Sequence, residues 1–305
     1  MAAPLAAAPR PAAAQLRGAV LQALRPFSFT IAAISCFLGI ALAWRDGGAD
    51  PFNAALTLVA GVLMQAGVNL VNDFFEFKHG QLDNKFAGLA IFGDARSRTE
   101  WVIYGTGMAC FAVAVALGLV LVARTGISLL WIGIVGLLSA YFYTGEPLNY
   151  KRRGLAVALV FIFMGALMVE GAYVATAGRP SLRAAIVSIP VSLLVSLLLL
   201  SNELRDFEDD TRHGIRTLTV RIGYARGARL YRAMLAGAYV AALAVAWWLR
   251  APWLALVALS APVARQALRF LPAPRESRRP LTPRTAKLHL VFGMLFVVGL
   301  LLTSS

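Results

Sequence analysis

The chain has 305 residues, of which 59% are hydrophobic and 14% charged, with a mean hydropathy of +0.70 and a formal net charge of +14. Soluble domains carry about 25% charged residues, so the composition excludes an ordinary soluble domain and points to a membrane protein. The positive charges lie in short loops between apolar segments, which excludes nucleic acid as their partner and reads as control of membrane topology.

In chain order, residues 1–25 (MAAPLAAAPRPAAAQLRGAV and the residues after it) are rich in Ala and Pro. They lack an apolar core followed by a cleavage site, so they read as a disordered or loosely helical cytoplasmic lead rather than a signal peptide. The remainder, 26–305, reads as a single integral-membrane domain. A spanning helix needs about 20 mostly apolar residues. Nine stretches meet that length or approach it: 27–44, 52–72, 102–122, 126–143, 155–175, 184–202, 229–249, 252–270 and 286–303. The fold class expected is all-α, with nine transmembrane helices around a central cavity. Breaks as short as Ala123-Arg124-Thr125-Gly126 and Arg250-Ala251-Pro252 imply antiparallel helix hairpins. Cys36 and Cys110 both lie inside apolar runs and read as small packed residues rather than a disulfide or metal pair.

With the N-terminus in the cytoplasm, the inside segments hold 24 Lys and Arg and the outside segments five: Arg45, Arg124, Arg179, Arg183 and Arg250. The positive-inside rule therefore sets the N-terminus in and the C-terminus out. Two acidic clusters, NDFFEFKHGQLD at 72–83 and DFEDDTRHG at 206–214, then fall on the cytoplasmic face, after the second and sixth spans. Aligning Glu76 with Asp210 sets Asn72 on Asp206, His79 on His213 and Gly80 on Gly214. An internal duplication of a four-helix unit would produce that match.

Residues four apart share a helix face. Asn72 and Glu76 form one such pair, adjoined by Asn69 and Asp73. Asp206 and Asp210 form the other, flanked by Asn202, Glu203 and Asp209. Facing each other across a cavity, these side chains make an anionic, oxygen-rich cage suited to a hard divalent cation such as Mg²⁺. Mg²⁺ is bound through one or two carboxylates together with substrate phosphates, so the cage implies a phosphorylated ligand. Lys78, Arg205, Arg212, Arg216 and the run Lys151-Arg152-Arg153 supply cations in the same loops for the rest of a diphosphate. His79 and His213 have no His or Cys partners in sequence and read as loop histidines. Tyr141, Tyr143 and Tyr150 read either as interfacial belt residues or as part of the site. Glu170 is an ionisable residue within a span, which is functional by default, or else sits at its outer end facing a headgroup.

At these residues the chain resembles the UbiA superfamily of intramembrane prenyltransferases. The resemblance covers nearly the whole chain. NDFFEFKHG matches the family's NDxxDxxxD, with Glu76 for Asp and Gly80 at the third acidic position; Asp206 and Asp210 match its DxxxD. NLVNDFFEFKHG, YTGEPLNYKRRG and NELRDFEDDTRHGIRTLTVRIG are most similar to the branch that prenylates 1,4-dihydroxy-2-naphthoate for menaquinone. The loop NKFAGLAIFGDARSRT at 84–99 lacks the Gly-Gly-Arg segment often seen there, and Asp83 has no assigned role.

The resemblance implies a Mg²⁺-dependent enzyme of the bacterial inner membrane with its active site on the cytoplasmic side. It transfers a polyprenyl group from polyprenyl diphosphate to a small aromatic acceptor, with membrane lipid as its surroundings. The resemblance implies Asp73, Glu76, Asp206 and Asp210 as catalytic residues. Asn72, Glu76, Asp206 and Asp210 would hold the metal, and Asn72, Lys78, Lys151, Arg205 and Tyr150 would bind the diphosphate. Other acceptors (4-hydroxybenzoate, homogentisate, a porphyrin, a phosphorylated sugar) stay open, as do a cation transporter and a non-catalytic lipid-binding homologue.

Overall fold

The computed structural model describes residues 23–25, 28–48, 50–78 and 96–303, with side chains left out for 76–78 and 96–100. The lead read at 1–25, but for its last three residues, lies outside them, as do His79, Gly80 and Asp83.

The described residues are helical and contain no strand. In chain order the helices are α1 (Phe29–Arg45), α2 (Pro51–Lys78), α3 (Arg96–Thr125), α4 (Ile127–Phe142), α5 (Ala156–Ala177), α6 (Leu182–Arg205), α7 (Phe207–Arg212), α8 (Leu218–Ile222), α9 (Tyr224–Trp248), α10 (Ala261–Leu268) and α11 (Leu281–Leu302). Six stretches are long and apolar enough to cross a membrane: α2, α3, α5, α6, α9 and the segment ending in α11. α1 and α4 are apolar but shorter.

Each apolar stretch read from the sequence is occupied by helix, though the boundaries move. α2 runs on to Lys78 and carries residues 72–78 of the first acidic cluster as helix. The stretch 252–270 is not one regular helix: Pro252–Ser260 is a tight 3₁₀ segment and α10 follows it. Pro252 and Pro262 lack the N–H that a continuous ladder requires, so helix geometry changes at each.

α6 is the most enclosed of the six long helices. Val187, Val191, Leu194, Val195, Leu197, Leu200 and Leu204 are fully buried. Lipid tails are as apolar as these side chains, so packing and interhelical hydrogen bonds hold such a bundle together. α6 uses both. The Ser196 hydroxyl donates to the Val157 carbonyl of α5 at 2.6 Å, and Ser201 Oγ lies 3.4 Å from Thr282 Oγ1 of α11. α5 carries one π turn, Phe161–Ala166, in its middle. Gly165 in that turn abuts Ser192 so closely that any Cβ there would collide with it. Gly39 of α1 is the second close approach: a methyl would meet the Val169 carbonyl and Ala172 of α5. The backbones of α1, α5 and α6 can therefore draw together, as small residues allow in membrane bundles.

Candidate functional site

A polar chamber of about 330 Å³ opens where the C-terminal half of α2 meets the C-terminal end of α6. Gln65, Asn69 and Asn72 line it from α2, Asn202, Glu203 and Arg205 from α6, Asp206 from the α6–α7 turn and Asp210 from α7. Ser28, Ile31 and Arg25 close it at the start of α1, and Lys151 and Tyr143 reach it from the α4–α5 connection. Asn72 of the first cluster and Asp206 of the second, 134 residues apart in sequence, thus line one chamber together with Asp210.

Each side of the chamber has a local cause. On α2, Gln65, Asn69 and Asn72 recur every three or four residues, so they share one face. Gln65 Nε2 donates to Asn69 Oδ1 at 3.2 Å, and Asn69 Nδ2 donates to the Leu24 carbonyl at 2.6 Å and to Ser28 Oγ at 2.7 Å. These bonds tie the start of α1 to α2. Asp73 is the next residue round the helix and points elsewhere: its fully buried carboxylate accepts from Arg25 at 2.6 Å. Arg25 thus bridges the chamber wall and Asp73.

On the other side, α6 ends at Arg205 and the chain turns at Asp206 into α7. The Asp210 N–H donates to the Asp206 carbonyl at 2.8 Å, so the two aspartates stay one turn apart despite the change of helix. The neighbouring acids are held away from the chamber. Glu208 accepts from Arg278 at 3.0 Å, and Asp209 accepts from Arg275. Arg278 also lies 4.1 Å from the Tyr224 ring and donates to the Leu204 carbonyl at 3.1 Å. The loop before α11 therefore clamps the outer face of α7, and the inner face is left to Asp206 and Asp210.

Glu203 is the acid that sequence reasoning noted only as a flank. It is 3% exposed and lines the chamber. Its Oε2 accepts from the Thr219 N–H at 3.1 Å, while its Oε1 is buried without a hydrogen-bond partner. Gln65 and Arg25 were likewise not singled out. The available signal was polar side chains at helical spacing inside apolar runs.

The predicted site residues divide as follows. Asn72, Lys151, Arg205, Asp206 and Asp210 line the chamber. Asp73 is engaged with Arg25 outside that lining. Tyr150 is 6% exposed; its hydroxyl donates to the Ser139 carbonyl at 3.0 Å and its ring packs edge-on against Tyr143 at 5.5 Å. It anchors the connection that presents Lys151, and burial pushes its phenol above the usual tyrosine range. The backbones of Glu76 and Lys78 continue α2, and their side chains lie outside the described residues. His213 faces the Asp209 carbonyl at 2.8 Å and does not line the chamber. Glu170 accepts from the Ser181 N–H at 2.6 Å, at the opposite end of α6.

Among the described residues, no three His, Cys, Asp or Glu side chains form a ready-made metal cluster. The donor set nevertheless suits a hard cation held jointly with phosphate. The described lining has three carboxylates (Glu203, Asp206, Asp210) and three cations (Arg25, Lys151, Arg205). That balance leaves a bound diphosphate unneutralised. Added divalent charge would meet carboxylate and amide oxygens and the unpartnered Glu203 Oε1.

Beside the chamber is an apolar groove of about 270 Å³ between α2, α3, α4 and α5. Gln65, Val68, Tyr143 and Met164 belong to the walls of both. A ligand with a charged head and a long hydrocarbon tail can thus span the two.

Residues 32–291 match the UbiA prenyltransferase family. The chain is 27% identical over 288 residues to 1,4-dihydroxy-2-naphthoate octaprenyltransferase of Bacillus subtilis, covering 92% of each chain. It is 30% identical over 290 residues to UbiA prenyltransferase domain-containing protein 1 of Gallus gallus, covering 93% of this chain and 85% of the relative. Its fold is like that of a solved UbiA homolog from Archaeoglobus fulgidus bound to GPP and Mg²⁺. The TM-score is 0.58 and the identity 16%, over 91% of this chain and 99% of that one.

Proposed function

The chain belongs to the UbiA prenyltransferase family and is a membrane enzyme that transfers prenyl groups; from that premise we propose that it moves a polyprenyl group from polyprenyl diphosphate to 1,4-dihydroxy-2-naphthoate, in menaquinone biosynthesis. The observation that carries the reading is the polar chamber lined by Asn72, Asp206 and Asp210, sharing its wall with an apolar groove. The Bacillus subtilis relative supports the choice of acceptor.

The chain's own residues account for most of the chemistry. Asn72, Glu76, Asp206 and Asp210, with Glu203 added by its place in the chamber, would hold Mg²⁺, and Asp73 assists through its neighbours. Mg²⁺, when bound, neutralises the diphosphate oxygens and makes the diphosphate a better leaving group. Arg205, Lys151 and Lys78 take the developing charge as the allylic carbon–oxygen bond breaks. Tyr150 holds Lys151 in reach. The groove shields the allylic cation from water, and the Tyr143 ring at the junction offers it a π face. The naphthoate ring carbon attacks, and loss of its carboxylate as carbon dioxide restores the aromatic ring.

In this reading residues 26–305 are one integral-membrane domain. The six long helices, the two shorter ones and the 252–270 stretch together make nine crossings of the bacterial inner membrane. The N-terminus and the chamber face the cytoplasm, as the distribution of Lys and Arg favours. The test is incubation of purified protein with Mg²⁺, a polyprenyl diphosphate and a panel of aromatic acceptors, with products read by mass spectrometry. Prenylated, decarboxylated naphthoquinol is expected. Product from another acceptor alone would reassign the substrate.

A further inference from the structure

A second groove lies at the far end of the bundle, where the C-terminal turns of α1 and α11 run side by side. It encloses about 630 Å³, and its walls include Phe37, Ile40, Trp44, Val297 and Leu301, with Arg45 at its edge. The chamber is at the other end of α1, beside Ser28 and Ile31. α1 has 17 residues, so Ser28 at the chamber and Arg45 at the groove are about 25 Å apart along its axis at 1.5 Å per residue.

The groove wall is apolar and open to the bundle surface: Trp44 is 61% exposed and Leu301 51%. Its polar end is unbalanced. Arg45 Nη1 is buried with no hydrogen-bond partner. The charged groups that act on Arg45 are Arg183 and Asp46. Asp46 is already engaged, Oδ1 accepting from Arg183 at 2.8 Å and Oδ2 from the Tyr173 hydroxyl at 2.7 Å. Arg183 Nε is a second buried donor without a partner. Two guanidinium groups against one occupied carboxylate leave surplus positive charge at the mouth of a hydrocarbon-lined slot. A buried donor without a partner is costly, and an anionic oxygen satisfies it best.

We propose that this groove binds one anionic glycerophospholipid, its phosphate against Arg45 and an acyl chain along Ile40, Trp44, Val297 and Leu301. The lipid occupies the leaflet opposite the chamber. It fastens α1 to α11, two helices whose other ends frame the catalytic half of the bundle.

Native mass spectrometry of the full chain, in detergent with equimolar phosphatidylglycerol and phosphatidylcholine, tests this. The wild type should retain phosphatidylglycerol preferentially. Arg45→Gln should lower the ratio of anionic to zwitterionic lipid by about tenfold, the size of one charge-assisted hydrogen bond. Arg45→Lys should keep the preference and so separates lost charge from lost folding. Ile40→Trp, which fills the groove, should lower retention of both lipids. An Arg45→Gln ratio equal to wild type, a Lys variant as poor as the Gln variant, or undiminished retention in Ile40→Trp would each overturn the proposal.

Discussion

Arg205 grips its chain neighbour Asp206 with two parallel hydrogen bonds, Nε to Oδ1 at 2.9 Å and Nη2 to Oδ2 at 2.8 Å. Both residues line the chamber. The pair fixes the direction of the Asp206 carboxylate just where α6 gives way to α7. In the proposed reaction the same pair would hold the Arg205 guanidinium toward the leaving diphosphate. Lysine keeps the charge but cannot reproduce two parallel bonds. Arg205→Lys should lower kcat/KM by about tenfold or more, the scale of a charged hydrogen bond, with the melting temperature nearly unchanged. Steady-state kinetics beside a thermal melt checks both.

The partly buried pair Arg25–Asp73 should behave differently. The Asp73 side chain is fully buried and Arg25 is its 2.6 Å partner. Removing Arg25 leaves the buried Asp73 carboxylate without that partner, which is costly, so Arg25→Ala should lower the melting temperature clearly. Adding Asp73→Asn should recover part of that loss, because the buried negative charge goes with it. A double variant no more stable than Arg25→Ala would count against a charge-based account of the pair.

Glu203 should set the metal requirement. Glu203→Gln leaves an acceptor for the Thr219 N–H, which now bonds Oε2 at 3.1 Å, and removes one negative charge from the chamber. The Mg²⁺ concentration for half-maximal rate should rise several-fold while the fold persists. A titration of rate against Mg²⁺ after chelator treatment reads this. Chelator alone should abolish turnover, and Mg²⁺ should restore it.

Tyr150 should be silent in the pH profile. Burial disfavours its phenolate and raises its pKa above the usual value, so the group stays neutral as pH rises through the ordinary tyrosine range. Tyr150→Phe should cost about 1 kcal/mol of stability through the lost bond to the Ser139 carbonyl and raise the KM for diphosphate as Lys151 loosens. The shape of its pH–rate curve up to pH about 10 should match wild type. A lost alkaline limb would contradict this assignment.

Much of the architecture could be read from hydropathy, because a bundle in lipid must satisfy its backbone within each helix. The apolar stretches follow from that, and helical spacing puts Asp206 and Asp210 one turn apart at the chamber that Asn72 also lines. Other features depend on contacts between distant residues. Nothing near Asp73 in the chain announces that Arg25 holds it, nor does the sequence around Asp209 reveal that Arg275 draws it away from the chamber. The 252–270 stretch has the hydropathy of a span, yet Pro252 and Pro262 divide it, and length alone does not register that. The stretch that Tyr150 belongs to suggests a diphosphate ligand, and the contact its buried hydroxyl makes, with the Ser139 carbonyl at the wall of the adjoining apolar groove, is between residues the sequence does not pair.

The central claim is that Asp206 and Asp210 serve the chemistry of one chamber rather than the fold. It is tested most directly by Mg²⁺-dependent prenyl transfer to 1,4-dihydroxy-2-naphthoate in membranes carrying wild type, Asp206→Asn or Asp210→Asn at equal protein levels. Prenylated product from wild type, and none above background from either variant, is the predicted result. Full product from both variants would contradict the account.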